Sequence, residues 1–386
     1  MGWQSGKGMW SITGPGSTCP VGSRCDRFGP MTFGKNFLPG PTGVHPDLLQ
    51  AMVAPMFAHY GPRMRPFLEE IQPRLRAMFG TSQPVFTVTC SGSGLLEAAI
   101  RNAVRERVLV VVTGYFGEYW AQIAERCGKE VTRVHVPIGG TLEAAQLTAF
   151  LDGPAVDAVA VVHSESTSGA LAPLAELAAA VRQRPNVHFL VDGVSSAGGV
   201  PIEMDRLGID FMVTGSQKAL GLPPGLAFGA VSRRLAERAA SMDDAGFYFS
   251  VTRWVEMAAN YRLAETPALP LFMALVAQLR RIEAAGGWAP RWERHRLLSA
   301  RFSSWAAERG LDLLARPERR TPTVSVFRPP AGRAAAPIAA ALEAQGFLVG
   351  QGISADQGQM IRIGHMGDIE VEHLDALLAT LEPLIS

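Results

Sequence analysis

Between residues 85 and 231, seven short apolar runs rich in β-branched residues alternate with stretches of helical spacing, and this alternation constrains the fold more than any other feature. The runs fall at 85–90, 108–112, 131–136, 158–162, 187–191, 211–213 and 226–231, with helical patterns at 95–105, 119–127, 142–151 and 174–184 between them. Several runs are apolar throughout, as strands covered on both faces should be. The expectation is an α/β fold whose large domain holds a mostly parallel, seven-stranded sheet. A long amphipathic run from 270 to 307, broken near Gly286-Gly287, leads into strand-like 323–327 and 360–363 and helix-like 336–345 and 370–384. These segments predict a large domain over 37–289 and a small α+β C-terminal domain over 290–386. Residues 1–36 are rich in Gly, Ser and Pro, lack periodicity and carry no secretory h-region, so they read as a mobile N-terminal tail. Met31, where the better-patterned sequence opens, reads as an alternative start.

In such sheets, ligands sit in loops beyond the carboxyl ends of the strands, and that is where the unusual residues fall. Composition sharpens one of them. Of 36 basic residues only Lys7, Lys35, Lys129 and Lys218 are lysines. Arginine keeps its proton and forms no imine, whereas lysine can lose the one and form the other. A lysine in an apolar stretch of this chain is therefore a candidate for amine chemistry. Only Lys218, in Gly215-Ser216-Gln217-Lys218-Ala219-Leu220 after the run 211–213, fits. Burial would favour its neutral, nucleophilic form; taken alone it would pass as an ion-pair partner.

Asp192 ends an apolar strand, where a carboxylate is costly unless paired. A protonated pyridine nitrogen is one partner; a loop cap is the alternative. Ser91-Gly92-Ser93-Gly94 precedes a helix, so its amides could meet an anion or serve only as an N-cap and turn. Its spacing does not match a dinucleotide fingerprint. Phe116 follows the run 108–112 beside Gly117 and could stack on a planar ring, although aromatics are more often core. Ser216 and Gln217 offer hydroxyl and amide groups suited to phosphate oxygens. Arg362, between apolar residues in Met360-Ile361-Arg362-Ile363, offers a bidentate fork for a carboxylate, with a buried salt bridge as the alternative.

A net charge of +1 gives no reason to expect nucleic acid, and no stretch reaches the roughly 20 apolar residues of a membrane span. Cys19, Cys25, Cys90 and Cys127 make no C-x-x-C pair and point to no metal site. Cys19 and Cys25 could pair, but a reduced, cytoplasmic compartment is expected. The closing Leu-Ile-Ser is not the Ser-Lys-Leu peroxisomal address.

The segment Val191-Asp192-Gly193-Val194-Ser195-Ser196-Ala197-Gly198-Gly199, followed by Gly215-Ser216-Gln217-Lys218-Ala219-Leu220 and Pro223-Pro224-Gly225, resembles class V aminotransferases of the fold-type I pyridoxal-phosphate superfamily. It is most similar to the alanine–glyoxylate and serine–glyoxylate branch, from about residue 37 onward. The resemblance implies pyridoxal 5'-phosphate held as a Schiff base by Lys218, with Asp192 on the pyridine nitrogen. It further implies a phosphate cup at Ser91, Gly92 and Ser93 with Gln217 beside it, and a ring held between Phe116 and Val194. Ser166 would lie near the phenolic oxygen, Arg362 would take the substrate carboxylate, and Gly40, in Pro39-Gly40-Pro41-Thr42, would close the substrate end. Thr266 would reach the neighbouring subunit's phosphate in a homodimer, and His59-Tyr60-Gly61-Pro62 would lie near the interface. Leu263 departs from a phosphate-binding Tyr of some relatives, and Leu95-Leu96 from their bulkier or polar pocket residues.

The implied activity is ping-pong transfer of an amino group from alanine or serine to a 2-oxo acid, glyoxylate being favoured. Aminoethylphosphonate–pyruvate and ureidoglycine–glyoxylate exchange on the same fold stay open. A cysteine desulfurase would need a Cys in the small domain, and none follows Cys127. A non-catalytic regulatory protein would be favoured by a DNA-binding segment, which residues 1–36 do not resemble.

Overall fold

The computed structural model describes residues 33–243, 245–353 and 358–385. Of the expected tail over 1–36, residues 1–32 lie outside the described residues, as does the pairing of Cys19 with Cys25, whereas Asn36 is in a strand paired with Leu348.

Seven strands form the main sheet, in the spatial order Phe86–Val88, Ala227–Val231, Phe211–Gly215, His188–Asp192, Ala158–Val162, Arg107–Val112, Glu130–His135. Ala227–Val231 is antiparallel to both neighbours while the other pairings are parallel, so one strand runs against six. Each of the seven apolar runs in the sequence supplies one of these strands.

The pleat explains why continuous apolar runs are needed. Leu109, Val111, Val159, Val161, Phe189 and Val191 enter the core on one face. Their chain neighbours Val108, Val110, Ala158, Ala160 and Leu190 enter the core on the other. A polar residue at any of these positions would be desolvated without a partner.

A second sheet of four strands runs Asn36–Phe37, Leu348–Gln351, Ile361–Gly364, Val324–Phe327 around a third core that includes Phe302, Phe327 and Ile363. The helix Trp288–Glu308 joins the two bodies: Trp288 packs in the large core, Leu298, Phe302 and Trp305 in the small one. The sequence break at Gly286-Gly287 is the turn before this helix, where both glycines have left-handed φ values of 94° and 87°.

Some elements exceed the sequence reading. The helix Met64–Phe79 carries Pro73 in its interior, which removes a backbone donor and interrupts the pattern. Its buried stripe of Leu68, Ile71, Leu75 and Met78 carries the helix past that point. Pro46–Ala51, Arg233–Ala239, Val251–Ala259 and the strand Leu348–Gln351 also lie outside the segments read from the sequence.

Candidate active site

Five strands of the main sheet deliver side chains to one place beyond their carboxyl ends. Lys218 follows Phe211–Gly215, Asp192 closes His188–Asp192, Glu165 and Ser166 follow Ala158–Val162, Phe116 follows Arg107–Val112, and Ser91 follows Phe86–Val88. The small sheet brings Arg362 to the same place, where its Nη1 donates to the carbonyl oxygen of Ser166 at 3.3 Å.

Lys218 is buried, and its Nζ donates to the carbonyl oxygen of Pro39 at 2.5 Å. The segment 39–42 is fastened to the lysine's own backbone. Thr42 N donates to Gln217 O at 3.1 Å, and Thr42 Oγ1 donates to Lys218 O at 3.2 Å. A Cβ on Gly40 would stand 2.6 Å from Lys218 Cδ and 2.8 Å from its Nζ, so only glycine lets the loop come this close. Burial, followed by the Arg362 guanidinium, pushes the Lys218 amine down to about 8, against opposing pulls from Asp192 and Glu165. The Phe116 ring centroid lies 5.9 Å from Nζ.

Asp192 is buried too, and its Oδ1 accepts from Val194 N at 2.8 Å. One such hydrogen bond contributes roughly 1.5–3 kcal/mol, less than the several kcal/mol that desolvating a carboxylate costs. Burial accordingly pushes Asp192 up to about 6, helped by Glu165 and opposed by Lys218. A cation docking on this carboxylate would recover what burial has cost. Arg362 forms no ion pair among the described residues; its Nε donates to Gln351 O at 2.6 Å and its Nη2 has no acceptor there. Burial holds the guanidinium down to about 10. Among the described residues, no carboxylate makes a structural salt bridge with Arg362.

The remaining residues show what kind of group fits. Ser166 Oγ and Gln217 Oε1 are buried with no hydrogen-bond partner among the described residues, an arrangement that proteins rarely leave unmet. Ser91 is the N-cap of the helix Gly92–Ala103, yet its side chain makes no capping bond. A Cβ on Gly92 would meet Val194 Cγ2 at 2.8 Å, which brings Val194 and the helix N-terminus together. Ser93 Oγ accepts from Tyr119 OH at 3.1 Å. An aromatic face, a buried acid, a lysine amine, an unmet hydroxyl and a helix N-terminus suit a planar, phosphate-bearing pyridine aldehyde.

Thr266 is not part of this gathering. It is exposed in the loop between the helices Val251–Ala259 and Leu269–Ala284, with no hydrogen-bond partner for its hydroxyl among the described residues. Glu165, Pro39 and Thr42 are central to the site but received no individual role from the sequence. Glu165 could have been found by the argument applied to Asp192, as a lone carboxylate just beyond a buried strand. Pro39 O carries no sequence signal, because every residue has a carbonyl. No helix among the described residues is long and apolar enough to cross a membrane.

A family model described as aminotransferase class-V matches residues 49–375. An uncharacterized aminotransferase of Methanocaldococcus jannaschii is 32% identical over 351 residues, covering 89% of this chain and 91% of that protein. The L-aspartate–glyoxylate aminotransferase of Paracoccus denitrificans is 31% identical over 366 residues, 91% of this chain and 90% of its own. Among solved structures, an alanine–glyoxylate aminotransferase from Nostoc sp. superposes with a TM-score of 0.86 at 31% identity, covering 91% of this chain and 95% of its own.

Proposed function

The chain belongs to the class V aminotransferases, which use pyridoxal phosphate, and from that premise we propose that it moves an amino group from alanine or serine to glyoxylate in a ping-pong cycle. The observation that carries the proposal is the buried Lys218 amine, coupled electrostatically to Asp192 and to an Arg362 that has no carboxylate partner among the described residues. Glyoxylate as acceptor is supported by the names of two similar proteins, which share it while differing in donor.

Bound at this site, pyridoxal phosphate supplies an aldehyde carbon that bonds amines and a ring that withdraws electrons from them. Lys218 Nζ would make the resting covalent bond. Displaced by the donor's amine, it would carry a proton from the substrate Cα to the former aldehyde carbon. Asp192 would hold the proton on the pyridine nitrogen, and Phe116 and Val194 would take the two faces of the ring. Ser91, Gly92, Ser93 and Gln217 would bind the phosphate, and Ser166 would bind the phenolic oxygen. Arg362 Nη2, with no acceptor among the described residues, would orient the carboxylate common to donor and acceptor. The loop at Gly40 would close the substrate end.

We also propose a homodimer, in which Thr266 reaches the second subunit's site. Val53, Met56 and Tyr60 are 71%, 62% and 83% exposed on one stretch of chain, apolar surface that association would cover. Sedimentation at a dimer's mass is expected.

A half-reaction screen tests the donor. The yellow loaded protein, mixed singly with alanine, serine, aspartate, ureidoglycine and aminoethylphosphonate, should lose its visible band with alanine or serine, and glyoxylate should restore it. Conversion by aminoethylphosphonate alone, with restoration by pyruvate, would overturn both the proposed donor and the proposed acceptor.

A further inference from the structure

The helix Tyr115–Arg126, which presents Phe116, has no cap of its own: Gly114 stands at the N-cap and has no side chain to give. Its first amides are met from elsewhere. Phe116 N donates to Glu165 Oε2 at 3.2 Å, Gly117 N also donates to this carboxylate, and Tyr115 N donates to Thr167 Oγ1 at 3.3 Å. Thr167 closes the ring, its Oγ1 and N donating to Glu165 Oε1 at 2.7 and 3.1 Å. A Cβ on Gly114 would stand 2.3 Å from Thr167 Oγ1 and 2.7 Å from Glu165 Cγ and Cδ. The bare N-cap is thus what admits the foreign carboxylate.

We propose that Glu165 is a positioning residue for the transamination site: its carboxylate caps the Phe116 helix from a neighbouring strand, setting the ring against the Lys218 amine, and its charge offsets the cations of Lys218 and Arg362. Burial pushes the Glu165 carboxyl up. An N-terminal carboxylate is nevertheless favoured by the helix dipole, and four donors, from Thr167, Phe116 and Gly117, work against burial and satisfy most of its lone pairs. The next residue, Ser166, carries the unmet hydroxyl and the carbonyl that receives Arg362. One buried carboxylate therefore ties together the aromatic face, the phenolic-oxygen residue and the carboxylate-binding arginine. Its charge works against burial at Lys218 and Arg362, favouring the protonated form of each, and also favours protonation of Asp192. These three are the charged groups coupled to it across the site.

The proposal rests on the aminotransferase reading only for the identity of the bound group, so it is tested first on the cofactor-free chain. Glu165→Gln removes the charge and turns an amide donor toward amides. Hydrogen exchange in the peptide spanning Phe116 and Gly117 should speed about 10- to 100-fold, the equivalent of one charge-assisted hydrogen bond. The Lys218 amine, titrated through the pH dependence of its reaction with pyridoxal phosphate, should shift below about 8. Thr167→Val should speed the same exchange while leaving the amine in place, because the carboxylate remains. Should Glu165→Gln fail to fold, Glu165→Asp, which keeps the charge but shortens its reach, should loosen the helix start without lowering the amine. A folded Glu165→Gln protein with wild-type exchange at Phe116–Gly117, or with an unmoved Lys218 titration, would overturn the proposal. Failure of the wild-type chain to bond pyridoxal phosphate would instead sink the aminotransferase reading and leave the exchange result standing.

Discussion

Lys218 Nζ and Pro39 O, 179 residues apart in the chain, are joined by a hydrogen bond of 2.5 Å. The lysine proposed to bond the cofactor's aldehyde is thus held against the segment 39–42. Gly40, next to Pro39, has a φ of 121° and its Cα faces the lysine stem. Gly40→Ala would place a methyl group 2.6 Å from Cδ in a backbone conformation that L-residues avoid. A loss of about 1–3 kcal/mol is expected, together with slowed cofactor capture. Thermal melts and absorbance stopped-flow on the same sample read both effects.

The amine's titration gives a pH signature. Protonated below about 8 and free above it, Lys218 should capture pyridoxal phosphate roughly tenfold faster at pH 9 than at pH 7 and then level off. An ordinary lysine, at about 10.4, would gain nearly a hundredfold over that interval without a plateau. The observed rate constant against pH distinguishes the two.

Asp192→Asn keeps the shape and removes the charge. Asparagine cannot hold a proton on a pyridine nitrogen, so each half-reaction should slow by about 10²–10⁴-fold, the range of a positioned proton-transfer group. In the unaltered protein, cofactor affinity should fall as pH drops below about 6, where the carboxylate takes up a proton. Single-turnover rates and equilibrium titrations check the two statements separately.

Arg362→Lys retains a cation but loses the planar fork. With Nη2 gone, KM for both amino acid and oxo acid should rise about 10- to 100-fold, while kcat falls less. Equal losses for a substrate lacking a carboxylate would contradict the assignment.

The central strands were legible because they are buried on both faces, which forces a continuous apolar run such as Leu109-Val110-Val111. Lys218 and Asp192 were legible for a related reason: a rare or costly residue at the end of such a run demands a partner. Pro39 and Thr42 were not, since their contribution is a carbonyl and a hydroxyl brought to Lys218 by the tertiary fold. Glu165 received no role from the sequence, because two of its partner amides, those of Phe116 and Gly117, lie on a helix far earlier in the chain, Phe116 by 49 residues. Met64–Phe79 was obscured by Pro73, a local penalty that packing of Ile71 and Leu75 overrides.

The central claim is a covalent bond between the Lys218 amine and a bound pyridine aldehyde. Protein loaded with pyridoxal phosphate, reduced with borohydride and digested, should carry the pyridoxyl mass on the peptide containing Lys218 and on no peptide containing Lys7, Lys35 or Lys129. An unmodified Lys218 in protein that has bound the cofactor would contradict the account.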